Sequence, residues 1–347
     1  MDRRRFLASG LAALGALAVP EALARPRPSP RVEGRVMTVT GPIDPGAMGQ
    51  TLSHEHVMVD FAGVDVVGPD RYERSAVVEA VRPHLRDAAA AGVQTFVDCT
   101  PAYLGRDPLV LRRLARATGL QILTNTGYYG ARDDQHVPEH AYTDSVDALA
   151  ARWVREWEEG IGDTGVRPGF IKIGVDAGPL SDIDRKLVRA AARAHLETGL
   201  TIAVHTGPAR PALQQLDVLA EEGVSPSAWI WVHAQNEEDP ARYLEVARRG
   251  GWVSLDGYAT DQTGRYVRLV TRMREHDCLD RLLLSHDNGW YSVGEPGGGS
   301  FAPYTPLLAE LVPALRANGL PEAAVRQLLT TNPATAFAVR RRPATGE

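Results

Sequence analysis

The sequence contains few residues that could cross-link the chain or bind a structural metal through sulfur. Among 347 residues there are two cysteines, Cys99 and Cys278, and they do not form a CxxC pair of the kind that binds zinc. Their number excludes a disulfide framework, and we interpret both as ordinary thiols. A GxGxxG motif is also missing after the first predicted strand, which argues against an open sheet that binds a dinucleotide.

Long basic runs are absent beyond the N-terminus as well. The formal net charge is −5 at pH 7, whereas domains that bind nucleic acid usually carry a basic surface. We therefore expect no nucleic-acid partner. The composition, with 44% hydrophobic and 23% charged residues, is typical of a globular protein that buries a large core.

The first 24 residues differ in composition from the rest of the chain. They combine a basic head, "MDRRRFL", with an apolar stretch from Leu11 to Val19 and small residues at Ala22 and Ala24. This pattern predicts a signal peptide too short to anchor the protein in a membrane, and its paired arginines resemble a twin-arginine export signal. An uncleaved lipid anchor and a chance amphipathic segment are the alternatives. We accordingly predict a signal peptide over residues 1–24, a proline-rich linker over 25–34, and a periplasmic or secreted mature protein without membrane attachment.

From residue 35 to residue 347, short apolar runs alternate with longer segments of helical period. Eight such strand–helix units without a change of composition predict one (β/α)8 TIM barrel. The predicted strands are Thr51–Val59, Thr95–Cys99, Ile122–Thr126, Phe170–Val175, Thr201–His205, Ile230–His233, Trp252–Leu255 and Leu282–Ser285. The predicted helices include Ser75–Ala91, Leu109–Thr118, Thr143–Glu159, Ile183–Thr198 and Pro240–Arg249.

Side chains of the metal-ligand type end several of these strands, and the carboxyl ends of barrel strands are where active sites lie. His54 and His56 are two residues apart, so they face the same side of the first strand. His205 and His233 end the fifth and sixth strands, and Asp287 follows the eighth. One histidine at a strand end is usually a satisfied polar residue, but the joint pattern suits zinc-like divalent ions. The strand ends therefore predict a metal centre.

Lys172 stands in the middle of the apolar fourth strand, "GFIKIGVD". Burial of an ammonium group is costly, and an ammonium beside two divalent cations would be repelled. A neutral amine can instead add carbon dioxide and become a carbamate, whose two oxygens can bridge two metal ions. We therefore predict that Lys172 is an N6-carboxylysine.

The remaining histidines do not fit the pattern. They lie in predicted helices or loops, or, in the case of His286, beside a predicted ligand and on the opposite face of the strand. We therefore leave out His84, His136, His140, His195, His276 and His286.

The strand ends and several connecting segments together carry a resemblance to a known family. The HxH pair, the lysine of strand four, the histidines ending strands five and six and the aspartate after strand eight are accompanied by "EGIGDTGVRPGFIKI" and the tail "TTNPATAFA". Over residues 35–338 the chain resembles the phosphotriesterase family of the binuclear amidohydrolase superfamily. The resemblance implies a metal-dependent hydrolase with two divalent ions, which we expect to be zinc.

The resemblance also implies a role for each strand-end residue. His54 and His56 would hold a buried metal, and His205 and His233 a more exposed one. A hydroxide and the carbamate of the strand-four lysine would bridge the two ions. Asp287 would complete the shell of the buried metal and take the proton from the bridging hydroxide. The tail would cap the barrel.

Four positions bear on the substrate. Tyr129, in "NTGYYG", stands where lactonase members of the family carry a tyrosine close to the metals, which favours lactones or related carboxylic esters. Gly257 replaces the arginine of many lactonases and the histidine of phosphotriesterases, and Asn236 replaces an aspartate of the proton relay. Asp256 is expected to support the ligands.

The alternatives to a lactonase or esterase are a phosphotriesterase (aryldialkylphosphatase) and a non-catalytic exported binding protein. We expect a small-molecule substrate. A homodimer is left open.

Overall fold

The computed structural model describes residues 32–344, so the predicted signal peptide and most of the predicted linker lie outside the described residues. The chain enters through a short antiparallel hairpin of β1 (Val36–Thr38) and β2 (Gly41–Ile43), which the sequence pattern did not predict. Both cysteines are buried free thiols, as predicted. Within this range no helix is both long enough and apolar enough to span a lipid bilayer.

Ten further strands, all paired in parallel, form the wall of a barrel. They are β3 (Thr51–Val59), β4 (Thr95–Asp98), β5 (Gln121–Leu123), β6 (Asn125–Thr126), β7 (Phe170–Gly174), β8 (Ile202–His205), β9 (Trp229–Val232), β10 (Trp252–Leu255), β11 (Leu282–Leu284) and β12 (Gly289–Ser292). They agree with the predicted strands to within a few residues, apart from β12.

Two interruptions divide the wall into a six-stranded and a four-stranded sheet. Thr124 separates β5 from β6, and residues 285–288 separate β11 from β12, so each pair counts as one wall position. At the second interruption the Asp287 backbone N–H donates to His54 O at 3.1 Å and the His56 N–H donates to Asn288 O at 2.9 Å. These bonds lead the last strand back to the first, and the prediction of a (β/α)8 barrel is confirmed.

Helices follow the strands and cover the outside of the barrel. They are α1 (Arg74–Ala90), α2 (Pro108–Thr118), α3 (Glu139–Thr143), α4 (Val146–Glu159), α5 (Asp182–Thr198), α6 (Ala209–Glu221), α7 (Pro240–Arg248), α8 (Thr263–Glu275), α9 (Val312–Ala317), α10 (Glu322–Arg326) and α11 (Asn332–Phe337). The single helix predicted over Thr143–Glu159 is wrong at its start. Ser145 has extended backbone and its hydroxyl caps α4 by accepting the Ala148 N–H at 3.1 Å, which separates α4 from α3.

The lower half of the barrel interior is apolar. Phe170, Ile230 and Leu283 point into it and are at most 2% exposed. Phe337 from the C-terminal tail closes this end, with its ring centroid 5.3 Å from that of Phe170. Asn332 anchors the tail by donating through Nδ2 to Leu282 O at 2.7 Å. The tail therefore caps the barrel as expected, and the polar side chains of the strands collect at the opposite end.

Candidate metal centre and active site

Strand β3 places two imidazoles side by side at the carboxyl end of the barrel. His54 and His56 are buried on the same face of the strand, with ring centroids 5.4 Å apart. Oδ1 of Asp287 lies 2.9 Å from His56 Nε2 and 3.3 Å from His54 Nε2. One ligand atom from each of these three residues fits within 4.8 Å of the others, a grouping that could hold a metal ion.

His205 and His233 extend this group across the mouth of the barrel. The His233 ring centroid lies 5.0 Å from that of His54 and 4.4 Å from that of His205. Nε2 of His233 is 4.0 Å from Oδ2 of Asp287. The structure thus brings the four predicted imidazoles and the predicted carboxylate together into one cluster.

Lys172 lies on β7, beneath the mouth, and is 2% exposed. Its Nζ is 5.8 Å from the ring centroid of Tyr129 and makes no hydrogen bond with any residue of the described range. Burial lowers the pKa of Lys172, against the opposing effect of Asp287 and Asp256. An amine held toward its neutral form suits the predicted addition of carbon dioxide.

Asp256 fixes two of the imidazoles at once. This carboxylate follows β10, is fully buried, and accepts from His54 Nδ1 at 3.1 Å and from His233 Nδ1 at 2.7 Å. Burial alone would raise the pKa of Asp256, but the two facing rings outweigh burial and hold it well below its usual value. Because each ring donates through Nδ1, Nε2 of each ring is left with a lone pair that faces the cluster.

Thr100 fixes the third imidazole in the same tautomer. Its hydroxyl donates its only proton to Met58 O at 2.9 Å. The 2.7 Å contact between His56 Nδ1 and the Thr100 hydroxyl oxygen is therefore donated by the imidazole. Nε2 of His56 is again the free atom, and it points to Asp287.

The centre of the cluster needs a positive charge. His54 Nε2 and Asp287 Oδ1 are buried and have no hydrogen-bond partner among the described residues, and with Nδ1 of His54 donating to Asp256 both atoms are acceptors. The pKa of His54 reflects the same need: burial lowers it, but Cys99 and Asp256 outweigh burial and raise it well above its usual value, so without a metal a proton would take the place of the cation at Nε2. A divalent cation would satisfy both acceptors, so these residues fit a metal ion.

Glu55, between the two histidines predicted to be ligands, was missed by the sequence reasoning. It is fully buried on the opposite face of β3. Its Oε1 accepts from the Ser285 hydroxyl at 2.7 Å, from His286 Nδ1 at 2.7 Å and from the His286 backbone N–H at 3.1 Å, and its Oε2 accepts from the Asn288 N–H at 2.8 Å. These bonds surround Asp287, whose φ of 62° is in the left-handed region. Glu55 thus holds the turn that presents Asp287; a charged residue inside a buried strand was the available signal.

Tyr129 lies against the exposed side of the cluster. Its hydroxyl is 3.2 Å from Nδ1 and 3.3 Å from Nε2 of His205, and burial raises the pKa of this phenol, so it stays protonated. Gly174 at the end of β7 makes room for it, because a Cβ there would lie 2.8 Å from the Tyr129 ring. The structure therefore places Tyr129 beside a predicted ligand.

The two departures from the family pattern have structural counterparts. A Cβ at Gly257 would lie 2.3 Å from Nε2 of Gln235, a buried side chain whose Oε1 accepts the Asp256 N–H at 3.1 Å. Gln235 thus fills the space that a larger residue at Gly257 would need. Asn236 is exposed, and its side chain makes no hydrogen bond within residues 32–344. No relay partner for Asp287 is found at this position.

Five of the six histidines that were left out make structural contacts. His286 donates to Glu55 and accepts the Leu307 N–H at 2.7 Å, so it points away from the cluster as expected. The other contacts are those of His84 with the Phe301 ring, His136 with Tyr103 O, His140 with the Tyr128 hydroxyl and His195 with Leu200 O.

Known proteins resemble this chain along most of its length. The profile described as "Phosphotriesterase family" matches residues 34–337. The phosphotriesterase homology protein of Mycobacterium tuberculosis (strain ATCC 25618 / H37Rv) is 31% identical over 317 residues, which cover 86% of this chain and 96% of that protein. The aryldialkylphosphatase of Saccharolobus solfataricus is 28% identical over 304 residues, which cover 84% of this chain and 95% of that protein.

A solved structure described as "Molecular Engineering of Organophosphate Hydrolysis Activity from a Weak Promiscuous Lactonase Template" has the same fold. It matches with a TM-score of 0.79 and 30% identity, covering 87% of this chain and 99% of that chain. The prediction of a metal-dependent hydrolase that acts on ester bonds is confirmed, whereas the alternative of a non-catalytic binding protein finds no support. The chain belongs to the phosphotriesterase family.

Proposed function

We propose that this protein hydrolyses lactones or related carboxylic esters at a centre of two zinc ions. His54, His56 and Asp287 would hold one ion, and His205 and His233 the other. Two divalent ions held at this place would supply a water of lowered pKa and would polarise the carbonyl of the ester. The observation that carries the choice of substrate is the contact between the Tyr129 hydroxyl and His205.

Lys172, as N6-carboxylysine, would complete the centre. The proposal rests on the burial of its amine beneath the cluster and on the lowered pKa that follows from burial. Carboxylation would give this buried amine a negative charge, which would balance part of the positive charge of the two ions. The side chain would then act as a ligand to both.

Asp287 is suited to receive the proton of the attacking water. Burial would raise the pKa of Asp287, but the rings of His54 and His56 outweigh burial and keep it well below its usual value. The carboxylate is therefore ionised at neutral pH, and because the lowered pKa makes it a weaker base, the acceptor role rests on its position beside His54 and His56. Its side chain is 24% exposed, and Asn236 offers no relay, so we propose that the proton passes from Asp287 directly to solvent.

Tyr129 would favour the transition state of ester hydrolysis over that of phosphotriester hydrolysis. Attack on an ester produces a tetrahedral carbon, whereas attack on a phosphotriester produces a trigonal bipyramidal phosphorus with three ester arms. The protonated phenol beside His205 can donate a hydrogen bond to the ring oxygen or the carbonyl oxygen of a lactone, and its ring reduces the room for three arms. The solved relative with a lactonase template supports lactones. The aryldialkylphosphatase among the relatives favours phosphotriesters as the second candidate.

The test is a substrate panel with zinc loaded throughout. We expect γ- and δ-lactones to give a higher kcat/KM than diethyl aryl phosphates. Tyr129→Phe should lower lactone turnover roughly tenfold, the value of one lost hydrogen bond in the transition state, and should lower phosphate turnover less. Tyr128→Phe is the matched control, because the Tyr128 hydroxyl contacts His140 at 2.9 Å instead of the cluster. Preference for the phosphates, or an unchanged lactone rate in Tyr129→Phe, would contradict the proposal.

We also propose that the mature protein is exported and begins near residue 25. The support is the basic head, apolar stretch and small residues of the first 24 positions. Sequencing of the N-terminus of the native protein should find it near residue 25. A native N-terminus at Met1 or Asp2 would contradict export with cleavage.

A further inference from the structure

One wall of the mouth is aromatic and leads outward from the cluster. The Trp290 ring centroid lies 5.3 Å from that of His56, and its Nε1 donates to Asp287 O at 2.8 Å. The Phe61 ring follows, with its centroid 5.5 Å from that of Trp290. Phe61 and Trp290 are each half-buried, so a bound molecule that reaches the cluster would lie along their faces.

Arg132 stands at the outer end of this aromatic wall. Its Cζ lies 4.4 Å from the Phe61 ring centroid, and the residue is exposed. Its backbone is in the left-handed region with a φ of 64°, and its N–H donates to Asp176 Oδ1 at 2.8 Å. A backbone held in this way directs the side chain over the ring. Stacking on an aromatic face leaves the N–H groups at the edge of the guanidinium free to donate.

The guanidinium of Arg132 is not already used by a carboxylate. Arg71 and Arg106, which lie in neighbouring loops, pair with Asp60 at 2.6 Å and with Glu156 at 2.7 Å. Within residues 32–344, by contrast, no ion pair and no side-chain hydrogen bond of Arg132 is found.

The acids around Arg132 do not change this conclusion. Asp176 accepts its backbone N–H, and Asp133 and Asp134 follow it in the chain, yet none of the three pairs with its guanidinium. These acids would repel an anion that is not held by the guanidinium itself, so binding of an anion at the mouth depends on Arg132.

We propose that Arg132 binds a carboxylate at the end of the substrate remote from the scissile ester, and that the substrates are therefore lactones or esters with an acidic substituent. This inference rests on the proposed function. A planar guanidinium with free edge donors matches a carboxylate with two parallel hydrogen bonds. The aromatic wall between Arg132 and the cluster would carry the apolar part of the molecule that joins the two polar ends.

Binding can be tested without turnover. Zinc-loaded protein is titrated calorimetrically with dicarboxylates from succinate to suberate and with monocarboxylates of the same chain lengths. We expect one length of dicarboxylate to bind roughly tenfold more tightly than its monocarboxylate, because a second charged contact is gained. Arg132→Ala should abolish the difference, Arg132→Lys should keep part of it, and added salt should reduce it. Arg272→Ala, at an exposed arginine of α8, is the matched control and should change nothing.

Enzyme kinetics provide a second test of the role of Arg132. The ratio of kcat/KM for mono-4-nitrophenyl glutarate to that for 4-nitrophenyl butyrate should fall roughly tenfold in Arg132→Ala and stay constant in Arg272→Ala. If esters are hydrolysed but this ratio and the dicarboxylate preference do not depend on Arg132, the inference is wrong and the proposed function stands. If no ester is hydrolysed, the proposed function fails, and the titration alone decides the role of Arg132. Equal affinity of Arg132→Ala and the parent protein for the preferred dicarboxylate would overturn the inference.

Discussion

The two sides of the cluster differ in how firmly their side chains are held. On the braced side, defined by His54, His56 and Asp287, each imidazole donates through Nδ1 to a buried oxygen and the turn of the carboxylate is held by Glu55. On the open side, defined by His205 and Tyr129, the half-buried imidazole has the phenol as its only hydrogen-bond partner among residues 32–344, at 3.2 Å and 3.3 Å. This difference separates two tasks. In the proposed function the braced side would hold a metal before substrate arrives, and the open side would leave space for the substrate.

Removal of Lys172 should produce the largest effect, because this residue would join the two sides. We expect the Lys172→Ala variant to lose metal from both sides of the cluster and its kcat/KM to fall on the order of a thousandfold or more. Short carboxylic acids, which supply the missing bridge, should partly restore activity. Lys186→Ala, at a half-buried surface lysine whose Nζ donates to Tyr142 O, is the control. A Lys172→Arg variant that keeps its metal ions and its kcat/KM would show that no carbamate is needed.

Asp256→Asn should give the next largest effect. His54 Nδ1 and His233 Nδ1 donate to different oxygens of Asp256, and an amide would place an NH2 donor against one of these two rings. We expect metal affinity to fall roughly 10- to 100-fold, as is usual when the partner of a ligating histidine is lost. Competition with a chelator measures the change, and Asp261→Asn, at an exposed aspartate, is the control. Unchanged affinity would mean that the braced side is not held by Asp256.

Glu55→Gln should give a smaller effect, seen first in stability. All four groups that Glu55 contacts donate to it in the structure, so the amide of a glutamine would turn one donor toward another donor. We expect the unfolding free energy of the metal-free protein to fall by about 1–3 kcal/mol, with a several-fold loss of metal affinity. Denaturant titration gives the first value. Glu238→Gln, at an exposed glutamate, should leave both unchanged, and equal behaviour of the two variants would remove Glu55 from the braced side.

The sequence predicted the cluster better than it predicted what holds the cluster. Ligand types at strand ends follow from alternation along a strand and from the common edge of parallel strands, so His54, His205 and Asp287 could be placed in advance. The Glu55 contacts could not, because they join residues more than 200 positions apart through the left-handed turn at Asp287. Residue spacing also does not show that Gln235 fills the space above Gly257, because that depends on a side-chain conformation.

Counting the bound metal ions in matched variants tests the account most directly. Elemental analysis of the zinc-loaded parent protein should find about two ions per chain, as expected of a two-metal hydrolase. His205→Ala should retain about one ion, because the braced side stays intact, whereas His56→Ala should lose the ion of the braced side and bind the other more weakly. A parent protein without metal after growth in added zinc would contradict the account. So would a His205→Ala variant that loses as much metal as His56→Ala, because the two sides would then not differ.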